Sequence, residues 1–135
     1  MNVIIDVNVL LAALIKDSAT RKIILESGHT FYFPEISLIK LEKYEAYILK
    51  KSGLQKNEYK TIINKLMKYI KLLPTEQLIK QWDNARKIMI NIDKEDTIFI
   101  AAAMNIKDAV IWSEDKHFGK QQRIKILRTA DLIKN

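Results

Sequence analysis

The fold of this chain is decided by residues 3–14, which read VIIDVNVLLAAL. The run 3–5 is short, apolar and β-branched, which is typical of a strand buried on both faces of a parallel sheet. A helical segment is predicted from about Asn8, so the chain passes directly from a buried strand into a helix. Asp6 stands at this passage, immediately after the strand.

The rest of the sequence repeats this alternation of strands and helices. Such alternation indicates βαβ units, and we therefore predict an α/β fold with a central, mostly parallel sheet flanked by helices on both faces. Because no repeat or Pro/Gly-rich linker divides the sequence, we expect residues 1–135 to form a single domain. Further strands are predicted at 30–33, 70–73, 109–112 and 124–127, and helices at 18–27, 35–51, 56–69, 75–90, 97–105 and from Asp131.

The composition is that of a globular protein without cysteine. Hydrophobic residues make up 48% and charged residues 29% of the 135 positions, which allows a core without covalent staples. The lack of cysteine excludes disulfides and thiolate zinc sites, and it agrees with a reducing cytoplasm. The apolar N-terminus lacks a basic segment and is interrupted by Asp6, and no run of about 18 uncharged apolar residues occurs. We therefore expect a cytoplasmic protein with neither a signal peptide nor a membrane span.

The net charge of +7, with a pI near 9.5, permits two interpretations. A basic balance favours polyanionic partners such as nucleic acid. The lysines are spread along the chain rather than clustered, however, which is equally typical of a soluble, lysine-rich surface. Both interpretations stay open at this point.

Three aspartates are predicted to converge at one edge of the sheet. In open α/β sheets, functional groups collect beyond the carboxyl ends of the strands. Asp6 directly follows the run 3–5, and Asp115 comes shortly after the predicted strand 109–112. Asp96 lies in the first turn of the helix that precedes that strand. The three carboxylates could therefore share one site.

The electrostatic cost of such a cluster indicates a bound cation. Two carboxylates about 4 Å apart repel each other by roughly 4 kcal/mol at an effective dielectric constant near 20. One of three would therefore take up a proton unless a cation neutralised the site. Carboxylate oxygens suit Mg²⁺ or Mn²⁺ better than zinc, and such ions activate water and stabilise charge on a phosphate under attack.

Each acid also has a structural interpretation. Asp93 and Asp96 have the spacing of a helix N-cap followed by an acid in the first turn. Asp115 could cap the turn at residues 115–117. Asp6 is harder to explain this way, because an acid directly after a buried strand is poorly placed for solvent. His117, like His29, is predicted to be a loop or surface residue.

Three segments resemble the PIN-domain family of nucleases, near its stand-alone prokaryotic members: residues 4–14, 93–103 and 112–118. The resemblance implies a Mg²⁺- or Mn²⁺-dependent endoribonuclease acting on RNA, often as a homodimer, and many relatives are toxins held in check by an antitoxin protein. Carried over by position, it makes Asp6, Asp96 and Asp115 the metal-site acids. It makes Asn8 and Ser113 polar groups beside the metal or the phosphate, and Asp93 a helix cap that assists.

One position departs from the family pattern. The family places a glutamate about six residues beyond a proline such as Pro34, and that count reaches Lys40. Glu42 is the nearest carboxylate downstream, but two residues turn a helix by about 200°, so Lys40 and Glu42 face different ways. Either Glu42 supplies the missing catalytic carboxylate, or Lys40 lies in the acid cluster and weakens metal binding.

Two alternatives to an active nuclease follow. If Lys40 lies in the cluster, the chain could be a catalytically weak or inactive PIN-like domain that binds RNA or a protein. A receiver-like signalling domain also gathers acids beyond sheet strands. It normally carries an acidic pair after the first strand, where this chain has Asp6 alone.

Overall fold

The computed structural model describes residues 1–16 and 19–133, in which five parallel strands form one sheet. The strands are hydrogen-bonded in the order β3-β2-β1-β4-β5, and every neighbouring pair is parallel. The predicted α/β class is therefore confirmed. The strands are β1 (Asn2–Ile5), β2 (Thr30–Pro34), β3 (Ile70–Leu73), β4 (Val110–Trp112) and β5 (Ile126–Leu127).

Helices cover both faces of the sheet. Val3, Ile4 and Ile5 of the central strand are all fully buried, and successive strand residues point to opposite faces. The connection from β1 to β2 runs the opposite way across the sheet from the connection that leads to β4, so right-handed crossovers put their helices on opposite faces. The helices are α1 (Val7–Ile15), α2 (Ala19–Glu26), α3 (Leu38–Lys43), α4 (Glu45–Ser52), α5 (Lys56–Met67), α6 (Thr75–Ile79), α7 (Trp82–Met89), α8 (Thr97–Met104) and α9 (Thr129–Ile133).

Two predicted long helices are each broken in the structure. The segment 35–51 begins with a 3₁₀ turn (Glu35–Ser37) and continues as α3 and α4, which meet at Tyr44. The segment 75–90 divides into α6 and α7 around Gln81. Both junction residues have ψ near zero, at 2° and 7°, which bends the helix axis without requiring glycine or proline. Hydrophobic periodicity carries no signal for such a bend.

The remaining boundaries differ by a few residues. The first predicted position of the helix 18–27, Ser18, lies outside the described residues, and α2 spans Ala19–Glu26. The last strand was predicted from 124, but β5 begins at Ile126, because the side chain of Gln121 takes both backbone groups of Ile124 at 2.8 Å. Across residues 1–16 and 19–133, every helix falls short of the length and hydropathy needed to cross a membrane.

Candidate metal centre

The predicted acids lie at the carboxyl-end edge of the sheet, beyond β1 and β4. These two strands are neighbours, and the Asp6 N–H donates to the Trp112 carbonyl at 3.1 Å, which extends their pairing to the last strand residue. The connection that leaves β1 leads to β2 on one side, and the connection that leaves β4 leads to β5 on the other, so a crevice opens between the carboxyl ends of β1 and β4. A cavity of about 430 Å³ occupies it, and its lining includes Asp6, Asn8, Lys40, Asp93, Asp96 and Asp115.

Ser113 connects two of the acids. Its hydroxyl donates to Oδ2 of Asp6 at 2.8 Å and accepts from the Asp115 N–H at 2.9 Å. Asp6 is 4% exposed and Ser113 is 1% exposed, so this link is shielded from water. Burial raises the pKa of Asp6, and the charge of Asp115 adds to that rise, while Ser113 and Lys40 oppose it. The buried acid is thus fixed in position and costly to ionise.

The pKa of Asp96 is raised strongly by its surroundings. Burial first, and then the charges of Asp93, Asp6 and Asp115, raise its pKa from 3.8 to about 7. Its Oδ2 is buried and has no hydrogen-bond partner among the residues that the structure describes. A buried polar atom is normally paired, and a cation would satisfy this one while removing the repulsion. The residues therefore fit a hard divalent cation held by carboxylate oxygens, as Mg²⁺ and Mn²⁺ are.

Asp93 and Asp115 combine a structural role with a place at the cavity. Asp93 caps the 3₁₀ turn Lys94–Asp96, since its Oδ1 accepts from the Glu95 N–H at 3.0 Å. Asp115 closes its own turn, because its Oδ1 accepts from the His117 N–H at 2.9 Å. Both residues also line the cavity. The capping and the functional interpretations of these acids therefore do not exclude each other.

His117, which the sequence assigns to a loop or surface position, lies beside two of the acids in the structure. Its side chain is partly exposed, yet its Nδ1 lies 3.2 Å from Oδ1 of Asp115 and 3.3 Å from Oδ2 of Asp93. The signal that could have found it is the short spacing Asp115-Lys116-His117, in which a tight turn brings the ring back toward the acid that closes it.

Lys40, and not Glu42, faces the cavity. The Lys40 ammonium lines it and lowers the pKa of both Asp6 and Asp96 by direct attraction. Its Nζ is 3.9 Å from Oε2 of Glu95 at the rim. Glu42 is exposed and does not contribute to the cavity, because it is rotated away from Lys40 on α3. Of the two alternatives left open by the sequence, the geometry favours Lys40 beside the acids over Glu42 as a fourth carboxylate.

Comparison with known proteins points to one family and one fold. The PIN domain family model matches residues 4–130. The fold is similar to that of the crystal structure of VapBC2 from Rickettsia felis bound to a DNA fragment from their promoter, with a TM-score of 0.70. The alignment covers 95% of this chain and 98% of that chain at 14% identity, a likeness of fold. None of the curated proteins matches this chain in sequence.

Proposed function

This chain belongs to the PIN-domain family, and we propose that it is a metal-dependent endoribonuclease that hydrolyses phosphodiester bonds of RNA. The observation that carries this proposal is the convergence of Asp6, Asp96 and Asp115 on one cavity, where the buried Oδ2 of Asp96 finds no hydrogen-bond partner in residues 1–16 and 19–133. Acids arranged at such cost to their own ionisation are typical of a catalytic centre rather than of a structural one.

Asp6, Asp96 and Asp115 are the residues that would hold Mg²⁺ or Mn²⁺. A cation there lowers the pKa of water and neutralises charge that develops on a phosphate. Ser113 positions the Asp6 carboxylate through its 2.8 Å hydrogen bond, so that one ligand is oriented before any ion binds. Asn8 is exposed at the cavity, where its amide can donate to a phosphate oxygen.

Two lysines complete the electrostatics of this cavity. Lys40 and Lys43 both line it, so the acids are faced by positive charge from α3. An RNA backbone that approaches the acids is attracted by these lysines without any reading of its sequence. The overall charge of +7 acts in the same direction.

The experiment that tests this function is cleavage of a labelled RNA with Mn²⁺, with Mg²⁺ and with a chelator. Asp115→Asn should abolish cleavage, because it removes a ligand charge and keeps the side-chain shape. Asp108→Asn is the matched control: Asp108 is exposed, lies before β4 at the opposite end of the sheet, and has φ of 54°, which asparagine also tolerates. Equal activity of the wild type in chelator and in metal, or of the two variants in metal, would contradict the proposal.

A second candidate function is favoured by Lys40. The Lys40 ammonium lines the cavity with Asp6 and Asp96 and partly neutralises their charge, which opposes the binding of a cation. The chain would then be a weak or inactive PIN domain that binds RNA or a protein. RNA binding that persists in chelator, without metal-dependent cleavage, would support this alternative over the nuclease.

We further propose, as membership of the family suggests, that this chain is the toxin of a toxin–antitoxin pair, a cytoplasmic homodimer with an antitoxin protein as its partner. The similarity of fold to VapBC2 is consistent with a toxin-type PIN protein. The test is to express the chain alone and together with the product of its neighbouring gene. Growth arrest by the chain alone, relieved by a neighbour that co-purifies with it, is the expected result. Growth unaffected by the active chain would oppose this role.

A further inference from the structure

We propose that His117, Asp93 and Asp96 form a second cation position beside the three-aspartate centre, and that this position selects Mn²⁺ over Mg²⁺. It rests on the proposed function only in that Asp96 belongs to both positions. The sequence interpretation gave His117 no functional role and gave Asp93 the role of a cap.

The geometry brings three ligand atoms together. One ligand atom from each of Asp93, Asp96 and His117 lies within 4.8 Å of the other two. A divalent cation binds oxygen and nitrogen at about 2.1 Å, so two donors on one ion are at most about 4 Å apart. Small side-chain rotations are enough to close the difference. The three residues come from two separate segments, the 3₁₀ turn before α8 and the turn after β4.

A second observation points to an ion rather than to a closed hydrogen-bond network. Both Oδ2 of Asp96 and Nδ1 of His117 are buried atoms without a hydrogen bond in the described residues. The Nδ1 is close to two carboxylate oxygens, at 3.2 and 3.3 Å, but it makes a well-directed hydrogen bond to neither. Buried polar atoms are rarely left unpaired, and two in one cluster are both satisfied by a single cation.

The donor set determines which cation is preferred. Mg²⁺ is bound through oxygen and keeps several waters, whereas an imidazole nitrogen suits first-row transition metals. Asp93 and Asp96 supply oxygen and His117 supplies nitrogen, so Mn²⁺ matches this set better than Mg²⁺. Because Asp96 has two carboxylate oxygens, it can contact both positions, as bridging acids do in sites where two ions lie about 4 Å apart.

The competing explanation is a simple ion pair, in which protonated His117 neutralises Asp93 and Asp115. The two explanations predict opposite effects of removing the ring. If His117 is a ligand, its loss weakens Mn²⁺ binding and leaves Mg²⁺ binding unchanged. If it is only a counter-charge, its loss leaves the cluster more negative and strengthens the binding of both ions.

The experiment is a calorimetric titration of the metal-free full chain with Mn²⁺ and, separately, with Mg²⁺. We expect about two Mn²⁺ and about one Mg²⁺ per chain, in keeping with one mixed-donor and one all-oxygen position. His117→Asn should weaken the second Mn²⁺ by at least about tenfold and leave Mg²⁺ unchanged. His29→Asn is the matched control, since His29 lies at the other end of β2, 3.0 Å from the N-terminal amino group.

The affinity of the folded variant for each ion decides between the two explanations. A circular dichroism spectrum of His117→Asn confirms that the variant is folded. Binding by His117→Asn that is unchanged, or tighter for both ions, overturns the second position in favour of the ion pair.

The two proposals fail in different ways. If His117→Asn changes nothing while Asp115→Asn abolishes RNA cleavage, the second cation position is wrong and the nuclease stands. If Mn²⁺ binds through His117 but no RNA is cleaved with either ion, the cation position stands and the nuclease is wrong.

Discussion

The two ends of the sheet hold cavities of similar size and opposite character. The larger one, about 550 Å³, lies at the amino ends of β4 and β5, where Lys107, Arg123 and Lys125 surround it. The smaller one, about 430 Å³, lies at the carboxyl ends and gathers acids whose charges oppose one another. At the amino end the charged side chains reach water, whereas at the carboxyl end burial raises the pKa of Asp6 and Asp96.

The two cavities therefore differ in electrostatics rather than in volume. At the carboxyl end, burial and like charges make ionisation of the acids unfavourable, and a bound cation would relieve this cost. In the part of the chain that the structure describes, Asp96 has a shielded oxygen without a hydrogen-bond partner, which is unfavourable for stability alone, and it lies at the edge where the parallel strands bring their carboxyl ends together. Charge reversals at matched positions of the two ends should therefore have unequal consequences.

The largest effect should be the stabilisation of the acidic end by metal. At a Mn²⁺ concentration about 100 times Kd, binding adds about 2.7 kcal/mol to the free energy of unfolding, which corresponds to a rise in melting temperature of about 10 °C. Asp6→Asn should leave the fold intact and abolish the corresponding rise in Mg²⁺. In Mn²⁺ it should remove the share that the three-aspartate centre contributes and leave the share of the second cation position. Asp108→Asn at the basic end should show the full rise. A wild-type melting temperature that does not change in millimolar Mn²⁺ or Mg²⁺ would mean that the acidic end binds neither ion, contrary to this prediction.

Lys40→Glu should sharpen the contrast by making the acidic end more acidic. The formal charge of Asp6, Asp96, Asp115 and position 40 together changes from about −2 to about −4. Metal affinity should rise by about tenfold or more, corresponding to about 1.4 kcal/mol, and cleavage should strengthen. The melting temperature without metal should fall, because the added carboxylate is unpaired among like charges.

Two controls accompany this charge reversal. Lys107→Glu makes the same change at the exposed rim of the basic cavity and should leave metal affinity unchanged. Glu42→Gln should also have little effect, since Glu42 does not face the cavity. If Glu42→Gln reduced cleavage and Lys40→Glu left it unchanged, α3 in solution would turn Glu42, and not Lys40, toward the cavity.

Substitutions of Asp93 and Asp96 should distinguish the acid that stabilises the fold from the acid that cleavage requires. Asp93→Ala removes the side chain that accepts the Glu95 N–H at the start of the 3₁₀ turn, and it should lower the free energy of unfolding by about 1 kcal/mol. Cleavage in Mg²⁺ should be largely retained, because the three-aspartate centre is intact. Asp96→Asn should do the opposite, eliminating cleavage with little loss of stability. Identical behaviour of the two variants in chemical denaturation and in cleavage would refute this division.

Much of the architecture could be predicted from short apolar runs. The run 3–5 is buried on both faces, so β1 had to be central, and the carboxyl ends of parallel strands share one edge. The meeting of Asp6 with Asp115 requires in addition that β1 and β4 be neighbours, which the structure shows and the sequence did not predict. Their role as metal ligands remains a prediction.

Two features of the site could not be read from the sequence. Apolar residues occur nearly all round the segment 36–41, yet Ile36 is 46% and Ile39 53% exposed. Hydrophobicity therefore did not indicate which side of this segment faces the core and which faces the cavity. The place of His117 depends on a turn held by Asp115 and on the approach of Asp93 from another segment. The spacing of Asp115 and His117 indicates the first contact, whereas the contact with Asp93 is tertiary, and neither segment alone contains a signal for it.

The last test needs no ion, because the stability of the metal-free protein should depend on pH. The pKa of Asp96 rises from 3.8 to about 7 on folding, so between about pH 4 and pH 7 the folded protein binds more protons here than the unfolded chain. A group of this kind stabilises the fold fully below its unfolded pKa, and the contribution is lost as the pH rises through the folded pKa. Without metal, the free energy of unfolding should therefore fall across this window, and Asp6 should act in the same direction. Asp96→Asn should flatten the fall, and saturating Mn²⁺ should reverse it, because the ion prefers the ionised acid. Urea denaturation at several pH values measures the stability of the metal-free wild type, of Asp96→Asn and of the Mn²⁺-saturated protein. A metal-free stability that rises from pH 4 to pH 7 in the wild type but not in Asp96→Asn would contradict the prediction. It would mean that folding stabilises the ionised form of Asp96.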